Sequence, residues 1–466
     1  ETLLRCSPGM AGRTGALWTR FTVQYNLYAG SIVAMGTDEQ REALFDAQSS
    51  GALGCFAFTE KGAGVLSGAG VETTATYDPT SDTFEIHSPT PSAVKNWISQ
   101  GCFAESAVIL AELIMPDGTS RGPHLFWAKI ADRQPSGHVN QVTHVMVGDN
   151  PVKTAMRGLD NATIAFTRFK VPRTALLSRF GGLERKEDGG GEMVYVPNLP
   201  AGCHRMLDLL ISRLLTGRIV LSEATLAHAM SRVRGNWTYA TRRELWRGRH
   251  PKGRMMSEMP LIKMTFRDYS RTVAVLQAFL ADTREKVAEA IRTQTFTHEL
   301  IESTCMCKFL GTGFGVDCVS AIRKTMGARA LQEDSRLGPE SFLPNATSAA
   351  EGDNTIMELK IVQDVVRGRT SKLPLGLMLR VAAGHSAGRK AATAYVTRFS
   401  RAMLLQKKAM KDGNLLRSIA WSRAHMKVID VWLKKHAGSD AKSAAQRAWL
   451  SSYERVAVRF PVPLQM

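Results

Sequence analysis

Two hydrophobic periods occupy different parts of this chain, and that change constrains its fold more than any other feature. Glu72-Thr-Thr-Ala-Thr-Tyr-Asp78 alternates β-branched and aromatic residues with others, Asp78-Pro-Thr-Ser-Asp82 is a turn cluster, and Thr83-Phe-Glu-Ile-His87 alternates again. Strand, turn, strand is the reading for such a pattern. Ala162 to Val171 predicts a further strand, stopped by Pro172, so residues 51 to about 177 form a small β domain. The segment 184–200, with Gly189-Gly-Gly191 and two prolines, predicts a loop. Beyond it the spacing turns helical: Leu276, Phe279, Leu280, Val287 and Ile291 share one helical face. Residues 213–245, 300–326 and 356–367 also predict helices. Gly376, Gly384 and Gly388 mark a softer, hinge-like stretch. Residues 389–449 predict two or three basic amphipathic helices. Residues 1–47 are partly helical. The 466 residues suffice for two to four domains.

Charge is unevenly placed. The chain carries +18, and residues 380–466 hold seventeen Lys and Arg against Asp412, Asp430, Asp440 and Glu454, a net +13. Such a field suits polyanions. Trp421, Trp432, Trp449 and Tyr453 lie among these cations, so the tail is either an RNA-stacking surface or the core face of amphipathic helices. No RNA-binding motif accompanies them. Arg242, Arg243, Arg247, Arg249, Lys252 and Arg254 form a second basic run, either a solvated helix end and loop or a site for ligand phosphates. Seven Cys at 6, 55, 102, 203, 305, 307 and 318 include no CxxC pair, which excludes zinc-finger spacing and suits a reducing compartment. Cys305 and Cys307 are expected to be small apolar residues in a helix. No apolar run approaches the ~20 residues of a membrane helix, and no transmembrane segment is expected.

Three segments carry chemistry. In Gly54-Cys-Phe-Ala-Phe-Thr-Glu-Lys-Gly-Ala-Gly64, Gly62 and Gly64 either make a tight turn or let backbone approach a ligand, with Thr59 adding a hydroxyl. In Lys95-Asn-Trp-Ile-Ser-Gln-Gly101, Trp97 is either a core residue or a platform for a planar cofactor, with Ser99 beside it. In Glu351-Gly-Asp-Asn-Thr355, Glu351 can act as a general base, and Asp353, Asn354 and Thr355 are helix-capping types; a plain capped loop is the alternative.

Taken in order, these segments resemble the acyl-CoA oxidase and acyl-CoA dehydrogenase superfamily over residues 51–368. Cys55-Phe-Ala-Phe-Thr-Glu60 is similar to its flavin-binding β-domain motif. Glu72 to Pro79, Ile86-His-Ser-Pro-Thr-Pro91 and Ala350-Glu-Gly-Asp-Asn-Thr355 resemble the oxidase branch, and Lys95-Asn-Trp-Ile-Ser99 the dehydrogenase form. Phe169 to Leu177 resembles the strand and loop that lead into the bundle. The resemblance implies an α+β, acyl-CoA dehydrogenase-like fold. Its parts are an N-terminal helical part (1–50), a middle β-barrel-like domain (51–178), a C-terminal helical bundle (179–370) and an additional basic helical tail (371–466).

It also implies FAD and an acyl-CoA thioester. In the family a Glu removes the pro-R α-proton, the β-hydride passes to flavin N5, and the product is a trans-2-enoyl-CoA. Glu351 matches that base, and Arg218 is expected to help set it. Phe58, Thr59, Gly64, Trp97, Ser99, Arg242, Asp353 and Thr355 match cofactor-binding positions; no metal is implied. Oxidases return the electrons to O2 as H2O2, whereas dehydrogenases pass them to an electron-transfer flavoprotein. A homodimer in the peroxisomal or a related organelle matrix is expected, with the mitochondrial matrix as alternative.

The chain departs from the family pattern at Val65, where a Ser is usual, and at Arg242-Arg-Glu-Leu-Trp246, where Arg-x-x-Phe-Gly is usual. Gly327-Ala-Arg-Ala330 stands where Gly-Gly-x-Gly is usual. Few residues precede Gly54, so a shortened helical domain is expected. These departures predict a weaker hold on the pyrophosphate and adenine side of FAD. They keep a second function open: a catalytically impaired subunit or assembly factor of a large organellar complex, docking on RNA or an acidic partner through residues 380–466.

Overall fold

The computed structural model describes residues 15–64, 70–154, 156–186, 192–200, 203, 205–212, 214–245, 253–338, 343–372, 374–405, 412–436 and 440–457. The chain forms two compact units, over 16–217 and 218–466.

The first unit opens with helices α1 (Gly15–Thr22) and α2 (Gly30–Met35), joined by a π-helical stretch, Val23–Ala29, and then α3 (Asp38–Ser49). Thr37 caps α3 with a reciprocal Gln40 contact, the capping box that Thr-x-x-Gln encodes. Eleven strands follow: β1 (Gly54–Ala57), β2 (Thr74–Asp78), β3 (Thr83–His87), β4 (Lys95–Ser99), β5 (Ser106–Ile114), β6 (Ser120–Lys129), β7 (Ala131–Arg133), β8 (Val139–Gln141), β9 (Val145–Asp149), β10 (Asn161–Phe166) and β11 (Phe169–Pro172).

Strand β5 organises the main sheet. Its first half pairs in parallel with β1 and its second half in parallel with β2, while β6 pairs antiparallel along it. A strand buried on both faces should be mostly apolar, and the run Ala107–Met115 is, with Glu112 the one charged, half-buried exception. The single strand expected over 162–171 is two. Arg168 adopts φ 53° between them, so β10 joins β4 and β9 in a second sheet while β11 pairs with β3 in the first. The expected loop over 184–200 holds a hairpin, Gly181–Arg185 with Met193–Pro197. Its glycine cluster at 189–191 lies outside the described residues. A short helix, α4 (Met206–Ser212), completes this unit.

Helix α5 (Leu214–Arg242) leads into the second unit, which is otherwise built of α6 (Pro260–Thr293), α7 (His298–Met326), α8 (Leu343–Ala349), α9 (Asn354–Val366), α10 (Leu375–Gly384), α11 (Ser386–Leu405), α12 (Gly413–Lys435) and α13 (Asp440–Ala457). On α6, Leu276, Phe279, Leu280 and Val287 are buried as their spacing requires, but Ile291, in the last turn, is 41% exposed. Cys305 and Cys307 are buried on α7. Among the described residues, one helical run, His298–Leu331, is long and apolar enough by length and composition to cross a membrane, longer than any apolar run singled out in the sequence. It is the core helix of this unit, with Phe309, Phe314 and Cys318 fully buried.

One hydrophobic core continues from α5 to α13. The basic tail turns its aromatics into it: Trp421, Trp432 and Tyr453 are buried and Trp449 packs against them. Several tail cations point inward too. Arg423 and Lys427 pair with buried Glu302, Arg417 with Glu358, and Arg455 with Asp268. This corrects the RNA-stacking reading, since these rings cannot meet bases without leaving the core. Nor are Gly384 and Gly388 hinge glycines. A Cβ on Gly384 would fall 2.4 Å from Leu433, and one on Gly388 2.0 Å from the Val381 carbonyl oxygen, so both mark tight packing at the α10–α11 corner.

Candidate active site

In the first unit, the segment after β1 is laid antiparallel to the segment entering β4. Lys61 N–H donates to Val94 O, Gly62 N–H to Ser92 O, and Asn96 N–H to Thr59 O. Two motifs separated in sequence are thereby made neighbours, with Thr59 exposed beside Asn96. Gly62 is required: a Cβ there would lie 2.8 Å from Ser92 Cβ. A Cβ on Gly64 would meet nothing within 4 Å. Phe58 is half-buried and stacks on Phe56 at 5.2 Å, so its ring supports the motif from below.

Beneath this crossing lies an ion pair that sequence reasoning missed. Lys95 is fully buried; its Nζ donates to Glu60 Oε1 (2.8 Å) and to Leu110 O (2.6 Å). Glu60 also accepts the N–H groups of Glu72 and Thr73. Burial pushes the Lys95 ammonium down to about 8 against the attraction of Glu60. Burial alone would raise the Glu60 carboxyl, but the Lys95 charge and the backbone donors hold it below its usual range. The signal was available: strand alternation points Lys95 to the same face as Ile98 only if a residue is inserted between them.

That insertion exists. The pairs Ile98↔Ala162 and Lys95↔Ile164 take three steps on β4 against two on β10, a β-bulge. Trp97 sits in it at φ 59° and is 58% exposed. Left-handed backbone is unfavourable for a bulky residue, so the bulge presents an indole to the outside at a local cost. Asn96 Oδ1 accepts from Trp97 N–H and from Asn150, and Asn161 Nδ2 reaches Ser99 Oγ at 2.9 Å. Asn161 and Asn150, unsuspected from the sequence, thus brace Trp97 and Ser99.

In the second unit, Glu351 lies between α8 and α9. Its backbone is left-handed (φ 52°), followed by Gly352 at φ 93°. Its Oε2 is shielded from solvent. Asp353 caps α9, accepting the Thr355 N–H at 2.8 Å, and Thr355 is half-buried. Lys308 of α7, also missed, is fully buried below the loop and donates to the carbonyls of Ser348 (2.5 Å) and Gly352 (2.6 Å). Arg218 is buried on α5, with Nη1 3.5 Å from Cys305 Sγ. Lys308 lies within electrostatic reach of Arg218, Glu351 and Asp353, so these four charges form one cluster.

Arg242 ends α5 with its side chain exposed, apart from that cluster. Over the three helical turns before it, Ser231, Arg232, Gly235, Asn236 and Tyr239 line a cavity of about 190 Å³, bordered also by Arg329, Asp334, Ser335 and Arg336. Arg329 pairs with Asp334 and lies 4.7 Å over the Tyr239 ring. Among the described residues that line it are three Arg and one Asp. Gly327 to Leu331 form a 3₁₀ turn continuing α7, in which Ala328 and Ala330 are accommodated and only Gly327 is left-handed (φ 56°). Val65 and Trp246 lie outside the described residues.

No family model matches the chain. Among curated proteins it is similar to the peroxisomal acyl-coenzyme A oxidase 2 of Arabidopsis thaliana, at 27% identity over 386 residues, 78% of this chain and 52% of the relative. The chain spans about half the length of the curated relatives it matches over most of its own length. Among solved structures, acyl-CoA oxidase 1 of Yarrowia lipolytica superposes with a TM-score of 0.78 at 20% identity, covering 98% of this chain and 71% of that one. Acyl-CoA oxidase-2 of Caenorhabditis elegans, bound with FAD, ascaroside-CoA and ATP, gives 0.71 at 19%, covering 95% and 71%. The architecture is the acyl-CoA oxidase fold, and over most of its length the chain is similar in sequence to acyl-CoA oxidases.

Proposed function

We propose that this chain carries out the α,β-dehydrogenation of a fatty acyl-CoA to a trans-2-enoyl-CoA, in the manner of an acyl-CoA oxidase, with FAD as cofactor. The observation that carries this reading is Glu351, a carboxylate with a shielded oxygen on a left-handed loop, backed by a buried cation. Partial withdrawal from water favours proton uptake by a carboxylate, which is what a base for the α-proton of a thioester needs. Arg218, in the same charge cluster, would help to fix the carboxylate's orientation.

The residues present fit FAD. Trp97 offers an exposed ring face on a braced bulge, Thr59 an exposed hydroxyl, and Ser99 a hydroxyl held by Asn161. In the second unit, the cavity lined by Arg232, Arg329 and Arg336 is the place proposed for a phosphate group despite the lost glycines at 328 and 330. Gly64, Phe58, Arg242, Asp353 and Thr355 complete the proposed cofactor set. Bound FAD would supply the two-electron acceptor for the hydride leaving Cβ. Dioxygen as final acceptor, with H2O2 released, a homodimeric assembly and a peroxisomal location complete the oxidase-type reading.

The test is the visible absorption of the purified protein before and after anaerobic addition of a long-chain acyl-CoA. Flavin bands that bleach, and return with H2O2 on readmission of air, support the reading. In Glu351→Gln the bands should persist but fail to bleach. A protein that neither carries nor binds FAD would overturn it.

A further inference from the structure

The loop that holds Glu351 is anchored by a residue with no role in the chemistry proposed above. Ser348 belongs to the last turn of α8, where carbonyls have no intrahelical partner. Gly352 follows Glu351 in left-handed backbone. Lys308 Nζ bonds both carbonyls, at 2.5 and 2.6 Å, and so spans the Glu351 segment from three residues before it to one after. One turn further along α7, Thr312 bonds Asn354 at 3.0 Å. One helix face thus holds the loop at three points.

An apolar residue at 308 would leave two carbonyls without this donor, and burying an ammonium is costly unless it is bonded and compensated. Lys308 is bonded, and Asp353 and Glu351 compensate its charge while Arg218 opposes it. Cys305, on the same helix, also faces it.

We propose that Lys308 is the positioning residue of Glu351: it clamps the carbonyls of Ser348 and Gly352 and so fixes the left-handed backbone at 351. The catalytic half rests on the reading of Glu351 as the base; the clamp does not. Burial pushes the Lys308 ammonium down to about 7, against Asp353 and Glu351 and with Arg218. An amine released into water by opening of the loop regains its proton, so opening should become harder as the pH rises through neutrality.

The experiment compares the full chain as wild type, Lys308→Met and Glu351→Gln. Hydrogen–deuterium exchange over residues 346–356 needs neither cofactor nor turnover. Lys308→Met should speed it about tenfold or more, while Glu351→Gln leaves it near wild type. In acyl-CoA-driven flavin reduction, Lys308→Met should lower kcat about tenfold with KM within about twofold. Unchanged exchange in Lys308→Met overturns the clamp. Faster exchange with unchanged kcat overturns the positioning role. Full turnover by Glu351→Gln removes the base assignment and the catalytic half with it, while the exchange result still decides the clamp. If Lys308→Met does not fold, wild-type exchange between about pH 6 and 9, corrected for intrinsic rates, decides. Protection that rises with pH, as an amine protonated only on opening requires, supports the clamp, and constant protection overturns it.

Discussion

Lys95 Nζ lies 2.8 Å from Glu60 Oε1, with both side chains buried under the crossing that brings Thr59 beside Asn96. Removing one partner strands the other charge in the interior. Lys95→Met should therefore cost about 3–5 kcal/mol of the first unit's stability, whereas Lys95→Met with Glu60→Gln should cost clearly less. Urea unfolding of the two single variants and the double variant measures the coupling, and additive losses would contradict it.

Trp97 is held left-handed in the β4 bulge with its ring exposed. If the indole serves a ligand, stability should not depend on it. Trp97→Gly should stay within about 1 kcal/mol of wild type, and Trp97→Val should fall roughly 1–2 kcal/mol below Trp97→Gly because a β-branched residue resists that conformation. Both should weaken FAD binding, read by titration of flavin fluorescence. Undiminished affinity would remove Trp97 from the site.

Gly388 has the Val381 carbonyl oxygen 2.0 Å from where its Cβ would be. Gly388→Ala should destabilise by about 1–3 kcal/mol through overpacking at the α10–α11 corner. Gly413, at the start of α12, has nothing within 4 Å of that position. Gly413→Ala should be neutral or stabilising by up to about 1 kcal/mol. Thermal unfolding of the two variants separates a packing glycine from a hinge glycine.

Stability should peak on the alkaline side of neutrality. Burial pushes the His425 imidazole down to about 4, so between about 4 and 6.5 the unfolded chain binds more protons and stability climbs with pH. Lys308, at about 7, and Lys95, at about 8, continue the climb, since both stay protonated to higher pH once unfolded. Burial raises the thiols of Cys55, Cys102, Cys305, Cys307 and Cys318. Unfolded thiols ionise from about pH 8.5 while these do not, so five of them outweigh two ammonium groups and stability falls again. Urea midpoints across pH should pass through a maximum between about pH 8 and 9; a maximum below pH 6 would contradict the assignment.

The strands over 74–78 and 83–87 and the long helices were legible because one face of each is buried, which imposes a period. Motif residues Thr59, Trp97 and Glu351 could be singled out because their types suit ligand chemistry. What supports them was not legible. Lys95 and Lys308 are charged, and a cation's burial depends on acceptors 35 and about 40 residues away. Asn161 reaches Ser99 across 62 residues. The break at Arg168 was hidden because β10 and β11 are both strands, and only their membership of different sheets separates them. The tail's Trp and Tyr had the same spacing for either fate, and only the core behind them decides.

Strand β5 has an order of assembly written into it. Its neighbour β1 leaves the ribosome 52 residues ahead of it, between Gly54 and Ser106, and among the described residues pairs with no other strand of the main sheet. At ~5–20 residues per second, that apolar edge waits roughly 3–10 s for its partner. The β2–β3 hairpin closes locally in the meantime, and β5 must then pair with β1 and β2 in register while β6 is still being made. Newly made chain is therefore most exposed to wrong pairing during this interval, and chaperones that shield nascent strands would act on residues 54–57 first.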